Sequence, residues 1–321
     1  MSRYIIRRLL WACVLFIAVT FITYIIFFTI PADPGRLACG QRATTECITR
    51  ARHFYGLDRP WIVQYGMFLK RLVVDQDLGR SFTGRLSVNS VVGAAAPVTA
   101  SLVFGGAILW MLLAVPVGVF SALRPRTVMD RVAMVFVLIG ISAHPVWIGL
   151  LFAWFFGYKL GLTPITGYCE VFSPQQGCGG PIQWAYHLIL PWVTFMILFA
   201  ALYVRMIRAT TMETLNEDYV RTARAKGAPE WLVLRSHVLR NAMLPIVTML
   251  GMDIGIALGG AVFTETVYGL PGLGKTLVRS IETFDLPLTV GIVVFTTISI
   301  IVFNLIVDLL YAWVDPRIRL A

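Results

Sequence analysis

Six apolar runs partition this chain, over residues 9–30, 98–123, 132–158, 185–206, 243–263 and 288–314. Each is long enough to cross a bilayer, which takes about 20 residues of helix. Backbone groups in hydrocarbon find no water, so each run must close its own hydrogen bonds and becomes helical. The chain is 58% hydrophobic and only 14% charged, far from the balance of a water-soluble domain. These features predict an all-α integral membrane protein with six transmembrane helices.

Charge sets the expected sidedness. Arg3, Arg7 and Arg8 precede the first run, and Arg124, Arg126 and Arg131 separate the second from the third. Seven basic residues fall within 205–240, and Arg317 and Arg319 close the chain. The short loops on the other side hold Lys159, Lys275 and Arg279. Positive charge stays on the cytoplasmic side, so both termini and the 205–240 segment are expected there, in a multi-pass cell-membrane protein. The segment 31–96 carries nine basic residues on the outer side, but long loops cross largely regardless of charge. The first run is too long for a cleaved signal peptide and no small-x-small cleavage site follows it. The net charge of +10 then fits loops facing anionic membrane lipid. No aromatic and basic groove motif points to nucleic acid.

The expected division is an N-terminal transmembrane helix over 1–30, an extracytoplasmic insertion over 31–96 and a membrane core over 97–314. A cytoplasmic loop over 207–242 lies within that core. In the insertion, Trp61, Tyr65, Phe68, Leu69 and Leu72 recur at helical spacing and predict an amphipathic helix. Cys39 and Cys47 fall in this outer segment, and Cys169 and Cys178 in the outer loop after the third run. Two local disulfides suit an oxidising space, with free thiols as the alternative. Neither pair has tight metal spacing or a histidine close in sequence, so no metal is expected.

Residues 218–245 are polar and basic between two apolar runs. They read as two short helices folded at Gly227. The first ends at Lys226 with Gly227 as its cap. The second has Pro229 and Glu230 in its first turn. Small residues Ala223, Ala225 and Gly227 would let another protein approach closely, and Arg221, Arg224 and Lys226 would orient it. On physics alone, an amphipathic loop lying on the membrane is the alternative.

The wording of this segment resembles the coupling loop of ABC importer permeases, in the dipeptide and oligopeptide (and nickel) branch. The matching residues are Asp218, Tyr219, Thr222, Ala223, Ala225 and Gly227. Arg221 stands where much of the wider family has a glutamate, an acid this branch often lacks. Further likenesses run along nearly the whole chain. They are Asp33-Pro34, Gly56-Leu57-Asp58-Arg59-Pro60-Trp61 with Gln64-Tyr65, and Asp77-Leu78-Gly79-Arg80-Ser81. Two more are the turn from Glu265 through Tyr268-Gly269 to Pro271-Gly272-Leu273-Gly274, and Asp315-Pro316-Arg317. The resemblance implies a type I permease fold with cytoplasmic coupling helices. It implies partners: a second, homologous permease, two ABC ATPase subunits and an extracytoplasmic solute-binding protein. It implies import of di- or oligopeptides or related solutes by alternating access. No catalytic residue and no cofactor are expected in this chain, since ATP hydrolysis would occur in the partner ATPases. A secondary transporter or channel without ATPases is the alternative reading, but neither a charge relay nor an inverted repeat is evident.

Gly251, Gly255 and Gly259 are four apart and predict one close-packing helix face, either within the chain or at the seam with a second permease. Asp253 lies about midway along the fifth run, where an acid is costly; it is a candidate pore group or an acid satisfied by a neighbouring helix. Glu265 and Asp308 are expected near span ends, within reach of water or headgroups. His144-Pro145 predicts a kink in the third run. Residues 269–276 satisfy GxxxxGK[ST], yet a phosphate loop needs a strand before it. An apolar run precedes this one, so a shaped turn is expected instead.

Overall fold

The computed structural model describes residues 2–29, 34–39, 44–55, 58, 60–171, 178–259 and 261–314. Asp33 and the 315–317 likeness lie outside the described residues, as does the side chain of Asp308. Among the described residues there is no strand, only one isolated bridge between Arg80 and Ser87. Helices follow in order: α1 Ser2–Tyr24, running on as a π-helix over Ile25–Thr29, then α2 Pro34–Cys39, α3 Thr45–Tyr55 and α4 Trp61–Val73. The chain continues with α5 Val88–Leu123, α6 Val128–Ser142, α7 Pro145–Phe152 with a π-helical extension over Ala153–Lys159, and α8 Pro181–Leu215. After α9 Asp218–Ala225 come α10 Glu230–Leu232, a π-helical stretch Val233–Leu239 and α11 Arg240–Leu258. The last elements are α12 Val262–Val267, α13 Leu273–Glu282 and α14 Leu286–Val314.

Among the described residues, five helices are long and apolar enough to cross a membrane: Ile6–Phe27, Val88–Leu123, Pro181–Leu215, Glu230–Leu258 and Leu286–Val307. The third apolar run is not one helix with a kink. It is two, Val128–Ser142 and Pro145–Lys159, bent by 105°, and it makes a sixth span when counted as one. Pro145 explains the break. A residue before proline is pushed out of the helical region, and His144 sits at φ −76°, ψ 137°. Its Nδ1 then accepts the Val146 N–H, capping α7 in a role the kink reading did not foresee. Pro191 and Pro245 by contrast sit inside α8 and α11 without ending them, a tolerance common in membrane helices.

By its internal contacts the chain falls into two units. One comprises Met1–Thr99, Gly255–Val262 and Pro271–Val302. Here the amphipathic α4 lies on α1, with Phe21 and Tyr65 edge to face at 5.2 Å. The Thr20 and Tyr65 hydroxyls are 3.0 Å apart, and Tyr24 donates to Gln64 Oε1 at 2.9 Å. Val88, Val92, Ala95, Leu273 and Ile292 form a buried cluster. Asp285, at the start of α14, gathers the 81–83 turn: it accepts from the Ser81 hydroxyl, from Phe82 N–H at 3.0 Å and from Thr83 N–H at 3.2 Å. Cys39 and Cys47 are joined in a disulfide in this unit.

The other unit comprises Ala100–Ile254, Phe263–Leu270 and Phe303–Ala321. Its centre is Trp110, fully buried, stacked on Phe199 at 4.6 Å and tilted against Phe195 and Tyr203. Gly140 and Gly118 bring α6 and α5 against α8, since an added methyl would strike Ala201 and Ile207 respectively. Lipid is as apolar as leucine, so such close contacts and polar pairs, not exclusion of water, hold these helices together. Tyr268 threads the same core, its hydroxyl 2.7 Å from Thr194 Oγ1 and donating to Gly149 O at 3.2 Å.

Glu265 is fully buried, not solvated at a span end as its sequence position suggested. The glycine expectation also changes. Gly251 and Gly255 lie on α11, but Gly259 falls one residue past its end. A methyl on Gly251 would strike Val307, and one on Gly259 would strike Thr296, so both glycines make room for α14 of this same chain.

Candidate functional site

The 218–245 segment folds as a helix, a turn and the beginning of a long helix. Glu217 enters α9 extended, and Asp218 places its charge at the positive end of the helix. Thr222 Oγ1 donates back to Asp218 O at 2.8 Å. The helix ends at Ala225, with Lys226 as its cap residue. Gly227 follows at φ +78°, with nothing within 4 Å of where a methyl would sit. Gly227 N–H donates to Arg224 O at 2.9 Å and Ala228 N–H to Ala223 O at 3.2 Å. This nested pair is the Schellman closure, and it needs the left-handed residue that glycine supplies at least cost.

The second helix is not short. It begins at Glu230 and runs through Pro245 to Leu258, because the polar stretch up to Asn241 keeps helical hydrogen bonding. Arg224 forks onto Glu230, with Nε 3.1 Å and Nη2 2.6 Å from Oε1, and ties α9 to the start of that helix. The bond to Glu230 raises the Arg224 guanidinium above its ordinary value. Beneath the turn, Val220, Val233 and Val238 are fully buried, with Leu215, Ala223, Ala228 and Leu234 packed on them.

Thus Ala223 faces partly inward, while Asp218, Tyr219, Thr222, Ala225 and Gly227 stay exposed. Asn241 donates to the Tyr219 hydroxyl at 2.9 Å and steadies that ring. Trp231, 64% exposed one helical step past Glu230, joins this surface. Sequence reading passed over it, although a large aromatic just after a Gly-Ala-Pro turn was the available signal.

Asp253 lies elsewhere on α11. It is five residues from the C-terminal end of that helix, not midway along a span. Counted from Asn241, it is still 12 residues along the helix, about 18 Å at 1.5 Å per residue. Tyr203 on α8 donates to its Oδ2 at 2.6 Å. Sequence reading also missed Asp130, a buried acid at the start of α6. It accepts from Ser121, from Arg126 N–H at 2.8 Å and from Arg208. No local signal links Asp130 to Arg208, which is 78 residues away.

Cys169 and Cys178 are bonded, with Cα atoms 5.2 Å apart. The absence of a nearby histidine, read from sequence, does not survive folding: His187 Nδ1 lies 3.3 Å from Cys169 Sγ. Both sulfurs are committed to the disulfide, so this trio offers a metal no thiolate. The 269–276 stretch follows helix α12 with no strand before it. Two of its amides already have partners within the protein: Leu273 N–H donates to Thr99 Oγ1 at 2.8 Å, and Thr276 N–H to Gly272 O. A methyl on Gly274 would meet the Val262 backbone at 2.8 Å, so no phosphate fits there.

The family described as "Binding-protein-dependent transport system inner membrane component" matches residues 114–320. Its N-terminal counterpart, "Binding-prot-dependent transport system membrane comp, N-term", matches residues 1–103. The chain is 36% identical to the probable D,D-dipeptide transport system permease protein DdpB of Escherichia coli (strain K12), covering 98% of this chain and 97% of that one. It is 32% identical to the dipeptide transport system permease protein DppB of Alkalihalophilus pseudofirmus, covering 99% and 100%. Among solved structures, an inward-facing form of the MetNI methionine ABC transporter superposes with a TM-score of 0.55 at 16% identity. It covers 70% of this chain and 97% of that chain, a likeness of fold. The chain therefore belongs to the family of inner membrane components of binding-protein-dependent transport systems, as its membrane-spanning permease.

Proposed function

We propose that this chain is one permease subunit of an ATP-driven ABC importer, forming half of a pathway for di- and oligopeptides or related solutes. The observation that carries the reading is the exposed shoulder around α9. A short helix is closed at Gly227, pinned from below by Val220 and Val233, and fixed rigidly to the first turn of a membrane helix. A partner pressing on it moves the membrane helix with it. The peptide permeases to which the chain is similar support the solute class.

In this reading a second, homologous permease completes the pathway, two ATPase subunits receive the α9 shoulders, and a solute-binding protein delivers from outside. Both termini and the α9 shoulder face the cytoplasm, as the distribution of Lys and Arg supports. The bonded pairs Cys39–Cys47 and Cys169–Cys178 then lie on the oxidising side, and lipid surrounds the apolar faces. ATP and solute drive transport because each binds the inward and outward states with different affinity. The residues over 31–96 form the outer insertion and those over 97–314 the permease core.

The test is a cross-link. Cysteine replaces Ala225, which is exposed, and is paired with cysteines along the surface of the co-purified ATPase. Cross-linking whose yield changes with ATP is expected. No cross-link at any pairing, with uptake intact after loss of the ATPase, would overturn the reading.

A further inference from the structure

An acid within the membrane must be neutral, paired or wet. Asp253 is only partly covered by its own chain. On its helix it borders Met252 and Ile256, 49% and 61% exposed, so the acid sits in an open apolar stripe. Facing lipid, a charged carboxylate there would cost about 3 kcal/mol on insertion scales. A charged Asp253 therefore needs water or a protein partner on this side.

The carboxylate is also held. Tyr203 is fully buried, and Trp110 lies against its ring at 5.8 Å, itself stacked on Phe199. That wall fixes the hydroxyl, which fixes Oδ2. Tyr203 is the one hydrogen-bond partner of Asp253 among the described residues, so Oδ1 is left to accept from something outside the chain. The end of α11, five residues on, adds its negative dipole to the same neighbourhood. A positioned acceptor with one open oxygen, in an apolar surround, suits a single cationic hydrogen-bond donor. It does not suit Ca²⁺ or Mg²⁺, which take six or more oxygens.

We propose that Asp253, positioned by Tyr203, is a recognition point for an ammonium group in the translocation pathway. Its ligand is the free terminal amine of a peptide in transit. The inference rests on the importer reading above and names the chemistry of its solute.

The experiment uses the complete importer in proteoliposomes, with ATP-dependent uptake of dialanine and N-acetyl-dialanine, each presented on preloaded binding protein. The readout is the ratio of the two rates. Asp253→Asn is expected to lower the ratio about tenfold, the value of one hydrogen bond to a charged group. Asp253→Glu keeps the charge and is expected to recover most of the ratio. Tyr203→Phe leaves the carboxylate in place but unfixed, and is expected to lower the ratio by about threefold, less than loss of the charge itself. This variant carries the test where Asp253→Asn fails to reach the membrane.

Three outcomes overturn the proposal while leaving the importer reading intact. They are an unchanged ratio, whether or not both rates fall together, Asp253→Glu behaving as Asp253→Asn, and loss of the second permease on purification of Asp253→Asn. The last would make Asp253 a subunit contact. If the unaltered complex moves neither peptide with ATP, the importer reading falls first, and this inference with it.

Discussion

Arg208 holds Asp130 with two nitrogens at once, Nε on one carboxylate oxygen at 2.8 Å and Nη2 on the other at 3.1 Å. The acid is nearly buried, with 7% of its side chain exposed, and the arginine is a quarter exposed. Ser121 and the Arg126 backbone complete the acid's partners, so the end of α5, the loop after it, the start of α6 and the end of α8 meet at one carboxylate. Removing one member of such a pair strands the other charge. Asp130→Ala is expected to lower the stability of the detergent-solubilised protein by about 3 kcal/mol. Asp130→Asn, which keeps hydrogen-bonding capacity, should cost less. Thermal unfolding followed by tryptophan fluorescence measures both, and equal costs would show that the charge is irrelevant.

Two glycines separate backbone strain from packing. Gly227 is open on every side and needs only its left-handed φ of +78°. Gly227→Ala is expected to cost about 1 kcal/mol, the price of placing a Cβ in that conformation. Gly251 has ordinary helical φ but a methyl there would overlap the Val307 side chain. Gly251→Ala is therefore expected to be the more damaging change, by about 1–3 kcal/mol of overpacking. The same unfolding measurement ranks them, and the reverse order would mean that α14 yields to the methyl.

Asp285 supplies a third comparison. It receives one hydroxyl and two backbone N–H groups from the 81–83 turn, and it is itself 1% exposed. Asp285→Ala leaves those donors unpaired, at about 1–3 kcal/mol for each buried one. The expected result is a turn that opens locally before the helices unfold. Limited proteolysis should then cut near residues 79–87 in the variant and not in the parent. Resistance in both would show that the apolar cluster around Val88 holds the turn without the acid.

The helices were legible because hydrocarbon leaves an apolar run few alternatives. The break at His144 was legible in kind, since proline restricts its predecessor, but not in size. The helix from Glu230 was placed correctly at its start but read as short, because Arg235, His237 and Asn241 interrupt the apolar pattern, and its continuation into the span beyond Pro245 was not readable. The turn at Gly227 was readable to within a residue, because the Schellman closure uses neighbours. Partners far apart in the chain were not readable. Tyr203 and Asp253 are 50 residues apart, Ser81 and Asp285 are 204 apart, and nothing local announces either pair. The full burial of Glu265 was not readable either.

One consequence follows from the unbroken helix between Glu230 and Leu258. Glu230 is gripped by Arg224 at one end, and Asp253 stands 23 residues further along. At 1.5 Å per residue the two are about 35 Å apart on a single strut. A tilt of about 10° pivoted at the Arg224 fork would sweep Asp253 through an arc of about 6 Å on that rise per residue, wider than the reach of any hydrogen bond. A small rotation at one surface is enough to make or break a contact about 35 Å away along the helix.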